Sequence, residues 1–579
     1  MKIILDYLKK YRIRAFLAPL FKMLEAIFEL LVPLVMASII NKGIATSNTH
    51  YILEMSGVLL CLAIVGLIFS ITAQYFSAYV AVFSAAEIRR DLFAKILSLS
   101  QATKEKIGEE VLTTRITNDI NQIQNGINMV LRLFLRSPFI VIGATIMAFI
   151  VDVKSALIFL VVVGLLSIVV FFIMRYTLPR YKTIAEGLEK ILHATSENLS
   201  GARVLRAFGK VDDESKEFEL KTADLADMQI NTGKIAALLN PLTYVIVNLG
   251  IVGLIYISAG QVDSGYILQG DVVALVNYMS QILVELIKLA NLIVLLMKAF
   301  PSAERVQELM EMESDERFHD CKPIAEVDKR GAIQLKNVYF SYAKTTEYDV
   351  EDITLDIPAG STFGIIGGTG SGKSTLLKLI NHTYDVAKGQ VLIDGHDVAE
   401  YTDSQLSRIF GIVPQKATLF RGTVRSNMTM INSNVSDAEI KTALDFSQSA
   451  DFIAEKEGKL DCKVEGKGAN FSGGQRQRLT IARALIGKPP VLMLDDASSA
   501  LDLATEYRLK KQLFSLDWKP TVIIVSQRAS SIKDADNILV LEDGRCVGLG
   551  THSELLETCE TYREIYYCQF PGEGAVGGK

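Results

Sequence analysis

Before about residue 300 the chain holds apolar stretches longer than a water-soluble core needs; Met55 to Ala86, for example, contains no charged residue. In hydrocarbon, backbone N–H and C=O groups have no water to bond, so such stretches must form helices that satisfy them internally. Spans are expected at 15 to 40, 51 to 84, 134 to 151, 155 to 174, 239 to 260 and 271 to 297, each near or above the ~20 residues that a ~30 Å hydrocarbon layer demands. An even number of spans returns the chain to its starting side. Basic residues collect on the cytoplasmic side of a membrane. The connections 41 to 50, 152 to 154 and 261 to 270 hold only Lys42 and Lys154, whereas 87 to 132 carries Arg89, Arg90, Lys95, Lys104, Lys106, Arg115 and Arg132. Both termini are therefore expected in the cytoplasm. The long polar connections 87 to 132 and 175 to 235 keep helical periodicity, so spans two to five should continue as helices well beyond the bilayer.

Met1 to Arg14 mixes Ile3, Ile4, Leu8 and Ile13 with Lys2, Lys9, Lys10, Arg12 and Arg14, a pattern suited to a helix lying on an anionic inner leaflet. Ionisable groups inside a span are costly and face a cavity or a partner. Lys22, Glu25 and Glu29 share one face of span one, and Glu285 and Lys288 do the same in span six. Two readings stay open: a cavity lining that attracts cationic or amphipathic substrates, or charges paired with one another. Pro33 and Pro138 are candidate kinks. No short apolar leader with a cleavage site opens the chain.

The composition changes past residue 300, and a chain of 579 residues is too long for one core. A mean hydropathy of +0.28 reflects the first half; the expected domains are 1–310 in the membrane, a charged linker 311–330, and 331–579 as a second domain. Strands at Ile333 to Phe340, Thr362 to Ile366, Val391 to Ile393, Val491 to Leu494 and Val522 to Val525 alternate with helices from Ser374 and at Arg476 to Leu485, which predicts an α/β domain with a largely parallel sheet. A net charge of -5 gives no footprint for nucleic acid. The six cysteines show no paired spacing, and five of them (Cys321, Cys462, Cys546, Cys559, Cys568) fall in the half expected in the cytoplasm, which predicts free thiols.

The segment Gly367-Gly368-Thr369-Gly370-Ser371-Gly372-Lys373-Ser374-Thr375 lies between a strand and a helix and fits the pattern G-x-x-x-x-G-K-[ST]. A glycine turn and a helix N-terminus then aim backbone N–H groups at one anion. Lys373 is placed to reach the β- and γ-phosphates of a nucleoside triphosphate, and the Ser374 hydroxyl to hold Mg²⁺. A second anion nest follows about a hundred residues on, where Ser472-Gly473-Gly474-Gln475 opens a helix. Two such nests make sense if the phosphate loop of one chain faces the serine-glycine nest of another across ATP.

With these motifs the sequence resembles the ATP-binding cassette transporters, in particular exporters that fuse six membrane helices to one α/β P-loop NTPase cassette, and the likeness covers nearly the whole chain. The resemblance implies ATP and Mg²⁺ as cofactors, an ATP-hydrolysing translocase in a bacterial plasma membrane, and action as a dimer. It implies that Tyr342 stacks on adenine, that Gln415 touches Mg²⁺ and the attacking water, that Asp495 holds Mg²⁺ through water, and that Ser499 to Asp502 communicates between sites. Ser472, Gly473, Gly474 and Gln475 would act on the partner's ATP. Thr114 to Asp119 and Leu268 to Asp271 also look like exporter motifs, and segments near Ser98 to Lys106 and Ala207 to Asp213 correspond to short coupling helices.

The departures from the family are informative. Asp496 stands where the catalytic glutamate is expected and Gln527 where a γ-phosphate-sensing histidine is expected; none of His50, His193, His319, His382, His396 and His552 lies near that strand. The acidic position before the second nest is shifted, with Val464-Glu465-Gly466-Lys467-Gly468 in its place. An aspartate carboxylate sits one bond length back from a water that a glutamate reaches, and a ~1 Å misplacement costs on the order of a hundredfold. Gln527 donates a hydrogen bond but has no titratable proton. The combination resembles the degenerate-site half of heterodimeric bacterial multidrug exporters. The expected partners are a second half-transporter, membrane lipids and hydrophobic or cationic small molecules. Lipid or peptide export, a homodimer with two slow sites, and an ATP-gated regulator are the alternatives.

Overall fold

The structure is a computed structural model and describes residues 2–313, 330–342, 347–432 and 434–570; most of the expected linker, together with Cys321 and His319, lies outside these. Contacts divide the chain into two units, Met1–Leu97 with Gly108–Met312, and Ser98–Ile107 with Glu313–Lys579. The segment Ser98–Ile107, expected within the membrane half, thus groups with the second unit. Within that unit Tyr384 Oη donates to Glu105 Oε2 at 2.7 Å.

The first unit is helical throughout. Among the described residues five helical stretches are long and apolar enough to cross a membrane: Arg12–Ile44, Thr49–Ser98, Glu109–Val151, Val153–Ser200 and Val211–Asp263. The sixth expected span falls on the helix Gln269–Glu311, which is not in that set. Asn277, Ser280, Gln281, Glu285 and Lys288 interrupt it, and it packs inside the bundle, with Tyr278, Met279 and Ile282 fully buried. At ~1.5 Å per residue the fifty-residue helix Thr49–Ser98 is more than twice as long as a bilayer core is thick, as the periodicity of 87 to 132 predicts. Pro138 lies in the first turn of the helix Arg136–Val151, directly after the turn at Leu135 that interrupts the helical run, and Pro33 lies inside the helix Arg12–Ser38. The helix Lys2–Lys10 is tied down by Tyr7 to Asp91 at 2.8 Å and Lys10 to Glu87 at 2.7 Å.

In the first unit the exporter-like motifs turn out to be packing devices. Thr114 to Asp119 runs into a π-helical turn, Arg115–Asp119. Asp119 is fully buried and accepts from Ser302 Oγ at 2.9 Å, Arg115 Nη1 at 3.1 Å and both Nε and Nη2 of Arg305. Asp271 caps its own helix through Leu268 N at 2.9 Å and accepts from Asn41 Nδ2 at 3.0 Å. Gly270 lies so close to the Ala37 carbonyl that a Cβ there would collide with it.

Among the described residues the second unit holds a six-stranded sheet, a four-stranded sheet and a two-stranded ladder of Gly422–Thr423 with Lys463–Val464. Thr362–Gly367 is flanked in parallel by Thr521–Val525 and Asn537–Glu542, and the parallel array continues through Val491–Asp495 to Phe410–Val413. Arg545–Gly550 closes the other edge antiparallel. The expectation of one largely parallel sheet needs a correction, because Ile333–Phe340 and Lys388–Ile393 pair antiparallel with each other and with Val350–Ile357 or His396–Asp397 in a separate four-stranded sheet. Buried Val, Ile and Leu fill Thr521–Val525 and Val491–Asp495, as parallel strands covered on both faces require. Among the described residues all five cysteines are free.

Candidate nucleotide site

The phosphate loop leaves the C-terminal end of Thr362–Gly367 and enters the helix Lys373–Ile380. Its glycines are required by geometry. A Cβ on Gly367 would collide with the Leu541 carbonyl, and Gly370 and Gly372 hold φ of 84° and 91°, the left-handed region that only glycine visits without strain. Lys373 is buried; its Nζ donates to Gly367 O at 3.0 Å, to Gly368 O and to Ser371 Oγ at 3.2 Å. Burial pulls its pKa down, and the nearby Asp495 and Asp496 oppose that shift. Ser374 Oγ donates to Asp495 Oδ1 at 3.0 Å, so the two groups expected to share a divalent cation already meet.

Asp495 closes its strand, and Asp496 begins the following turn with φ of 46°, a conformation that aspartate tolerates better than most side chains. Its N–H donates to Val525 O at 2.9 Å, which ties Asp496 to the strand that leads to Gln527. Burial pushes both carboxyls up; a hydrogen bond from Ser374 opposes the shift at Asp495, and one from Gln415 opposes it at Asp496.

Tyr342, Thr369, Gly370, Gly372, Lys373, Ser374, Thr375, Gln415, Asp495, Asp496 and Gln527 all line one cavity of about 370 Å³. Gly367 and Ser371 are buried beneath it, and Gly368 is exposed at the loop. Tyr342 Oη lies 3.2 Å from Thr375 Oγ1, and its half-exposed ring meets Tyr384 edge-on with centroids 5.2 Å apart. Asp349, Val525 and Ser526 line the same cavity and were missed. Asp349 Oδ2 accepts from Tyr342 N at 2.8 Å, a contact for which a lone Asp in a polar stretch gives no sequence signal.

The other nest stands apart. Ser472 caps the helix Gly473–Leu485, with its Oγ accepting from Gln475 N at 3.3 Å and Gln475 Oε1 accepting from Ser472 N at 3.0 Å. Ser472 and Gly473 are exposed, and none of Ser472 to Gln475 lines the phosphate-loop cavity. Gly474 packs against the following loop, since a Cβ there would meet Ala500 O at 3.0 Å. Asp502 in that loop caps Leu503–Leu513 through Thr505 N at 2.9 Å. Nothing in the structure explains the shifted acidic position at Val464 to Gly468.

The residues present suit ATP with Mg²⁺. The loop supplies backbone donors and a buried cation for phosphates. Among the described residues no three His, Cys, Asp or Glu side chains converge as a metal cage; Ser374, Gln415 and Asp495 fit an ion that keeps its waters and takes phosphate oxygens.

In the first unit the ionisable groups of the spans find one another. Arg136 and Glu285 are buried. Arg136 Nη1 donates to Glu285 Oε1 at 2.6 Å and Nη2 to Glu29 Oε2 at 2.6 Å, Ser137 Oγ donates to Glu285 Oε2 at 2.8 Å, and Lys288 Nζ to Glu285 Oε1 at 2.7 Å. Lys22 pairs with Glu25 and donates to Ser70 Oγ at 3.2 Å. Of the two readings left open by the sequence, the paired one describes Glu285, and these carboxylates are neutralised before any cationic ligand meets them. The second coupling segment, around the turn after Ala202–Ala207, presents Phe208 76% exposed.

Residues 15–286 match the family described as ABC transporter transmembrane region and residues 350–499 the family described as ABC transporter. The chain is 32% identical over 573 residues to the ABC transporter ATP-binding protein YfiB of Bacillus subtilis, covering 99% of each. It is 32% identical over 563 residues to the ABC transporter ATP-binding protein Rv1273c of Mycobacterium tuberculosis, covering 97% of this chain and 96% of the relative. An ATP-dependent lipid A-core flippase of Pectobacterium atrosepticum is 28% identical over 537 residues, with 92% and 91% covered. The fold is similar to that of a bacterial Atm1-family ABC exporter solved with ATP bound, at a TM-score of 0.80 and 24% identity over 96% of this chain and 98% of that one.

Proposed function

The chain belongs to the ABC transporter family, as an exporter-type half-transporter with one membrane region fused to one nucleotide-binding region, and we propose that it is the degenerate-site subunit of a heterodimeric exporter of hydrophobic or amphipathic compounds. One observation carries this reading: Asp496 and Gln527 line the same cavity as Lys373, Ser374 and Asp495, at the positions where the family's catalytic glutamate and histidine stand. Bound there, MgATP supplies the phosphoanhydride whose cleavage drives transport. Lys373 and the loop amides hold the β- and γ-phosphates, Ser374, Gln415 and Asp495 orient the cation, and Tyr342 offers its ring to the base. Asp496 is the proton acceptor for the attacking water. Its short side chain and the absence of a titratable group at Gln527 make this site slow. Ser472 and its helix N-terminus serve the partner's site, with donors aimed where charge develops on the γ-phosphate. Both termini lie in the cytoplasm of a bacterial inner membrane, following the basic residues of 87 to 132.

A second reading, lipid export, is favoured by the relative named lipid A-core flippase and by the self-neutralised charges of the bundle. The test is steady-state ATPase and dye or lipid export in vesicles holding this chain alone, or together with the product of an adjacent reading frame that has Glu and His at the two altered positions. Asp496→Glu with Gln527→His should raise hydrolysis at this chain's site. Full activity of this chain alone would favour a homodimer with two aspartate-driven sites instead.

A further inference from the structure

The helix Glu560–Gln569 reaches the nucleotide cavity from behind. At its last residue, Gln569 Nε2 donates to the backbone carbonyl of Gln527 at 2.8 Å, and its Oε1 accepts from Ala529 N at 2.9 Å. One amide thus brackets the turn that carries the switch residue, satisfying the carbonyl at Gln527 and one of the donors left free at the start of the short helix Ala529–Ile532. Within the turn, Arg528 N bonds Ser526 Oγ at 3.0 Å, while Arg528 Nη1 lies 3.6 Å from Glu506. The helix itself is firmly seated. Tyr562 and Tyr566 are buried, His552 Nδ1 lies 2.8 Å from Tyr562 Oη, and Thr561 Oγ1 donates to Glu542 at 3.0 Å.

We infer that Gln569 is a positioning residue for the γ-phosphate contact: it fixes the backbone of Gln527 so that the switch side chain meets ATP, and the C-terminal helix thereby sets the selectivity of this site for ATP over ADP. The inference rests on the reading of Gln527 as the switch residue. Because glutamine carries no charge at this position, its contact depends on direction and distance alone, and hydrogen bonds of this kind lose strength steeply with misalignment. An anchor on the carbonyl of the same residue controls both.

The test uses the full-length chain in lipid nanodiscs. Gln569→Leu removes both bonds at similar volume. Gln569→Glu keeps the acceptor for Ala529 N and sets a second oxygen against the Gln527 carbonyl. Backbone hydrogen exchange over 525–530 should quicken at least about fivefold in both variants, with the thermal midpoint little changed, because the opening is local. ATP affinity should fall about three- to tenfold while ADP affinity holds, a change of ~0.7 to 1.4 kcal/mol, and this effect should vanish in a Gln527→Ala background. Unchanged exchange over 525–530, or an equal loss of ATP and ADP affinity that persists with Gln527→Ala, would overturn the inference. If Gln527→Ala alone leaves the ATP-to-ADP ratio untouched, the switch reading fails, and the exchange result still decides whether Gln569 holds the turn.

Discussion

Arg136 and Glu285, 149 positions apart in sequence, are both buried and lie 2.6 Å apart across the membrane bundle. The guanidinium also holds Glu29 at 2.6 Å, so it ties three helices, Arg12–Ser38, Arg136–Val151 and Gln269–Glu311. Removing one partner of a buried pair leaves an uncompensated charge and costs roughly 3–5 kcal/mol. Glu285→Gln should therefore lower the thermal midpoint of the purified transporter strongly, and its residual activity should respond to cationic and anionic amphiphiles alike. A stable variant that had lost only its response to cations would return Glu285 to a substrate-reading role.

Mutations around the nucleotide should fall into two classes. On the proposed degenerate-site reading, Asp496→Ala and Gln527→Ala touch a slow cavity and should reduce steady-state ATPase of the purified pair only modestly. Ser472→Ala or Gly473→Asp leaves that cavity intact within this chain, yet should remove γ-phosphate donors from the partner's site, a loss of about 3 kcal/mol in the barrier. Abolition of turnover by Asp496→Ala with sparing by Gly473→Asp would reverse the assignment of this chain to the degenerate half.

Acidification should loosen the segment Gln101–Ile107. Hydrogen bonds from Gln101 and Tyr384 hold the Glu105 carboxyl below its usual 4.5. A depressed acid stabilises the fold above its unfolded pKa, and that stability is lost as pH falls through the folded value. Burial and the Glu105 bond push the Tyr384 hydroxyl up, so its contribution disappears only on the strongly alkaline side. Tyr384→Phe should cost about 1 kcal/mol at neutral pH, and the difference from wild type should shrink in acid. Thermal melts across the pH range measure both, and a difference independent of pH would rule out this bond as the source.

Orientation is measurable by cysteine labelling in intact cells. The proposed orientation puts Asn48 in an outer loop and Gly209 in an inner one, so a membrane-impermeant reagent should reach a cysteine at position 48 and not one at 209. The opposite pattern would invert the topology.

Much of this protein can be read from local sequence because the physics involved is local. A phosphate loop needs glycine where φ is positive and a lysine and serine at the following helix start, so Gly367 to Ser374 names its own ligand class. Apolar runs in the first half must be helical because hydrocarbon offers the backbone no other partner, and the buried strands Val491–Asp495 and Thr521–Val525 show as continuous runs of Val, Ile, Leu and Met. What only the tertiary structure decided are relationships between distant residues. Hydropathy shows Glu285 as a charge in a span, and folding supplies Arg136 from another helix; the same holds for Asp119 with Arg305, and for Glu105 with Tyr384 within the second unit. The pairing of Ile333–Phe340 with Lys388–Ile393 and the bond from Gln569 to the Gln527 carbonyl left no trace in periodicity or spacing. Both close over a long stretch of chain, and a sequence does not record which of its many polar groups will meet when the chain closes it.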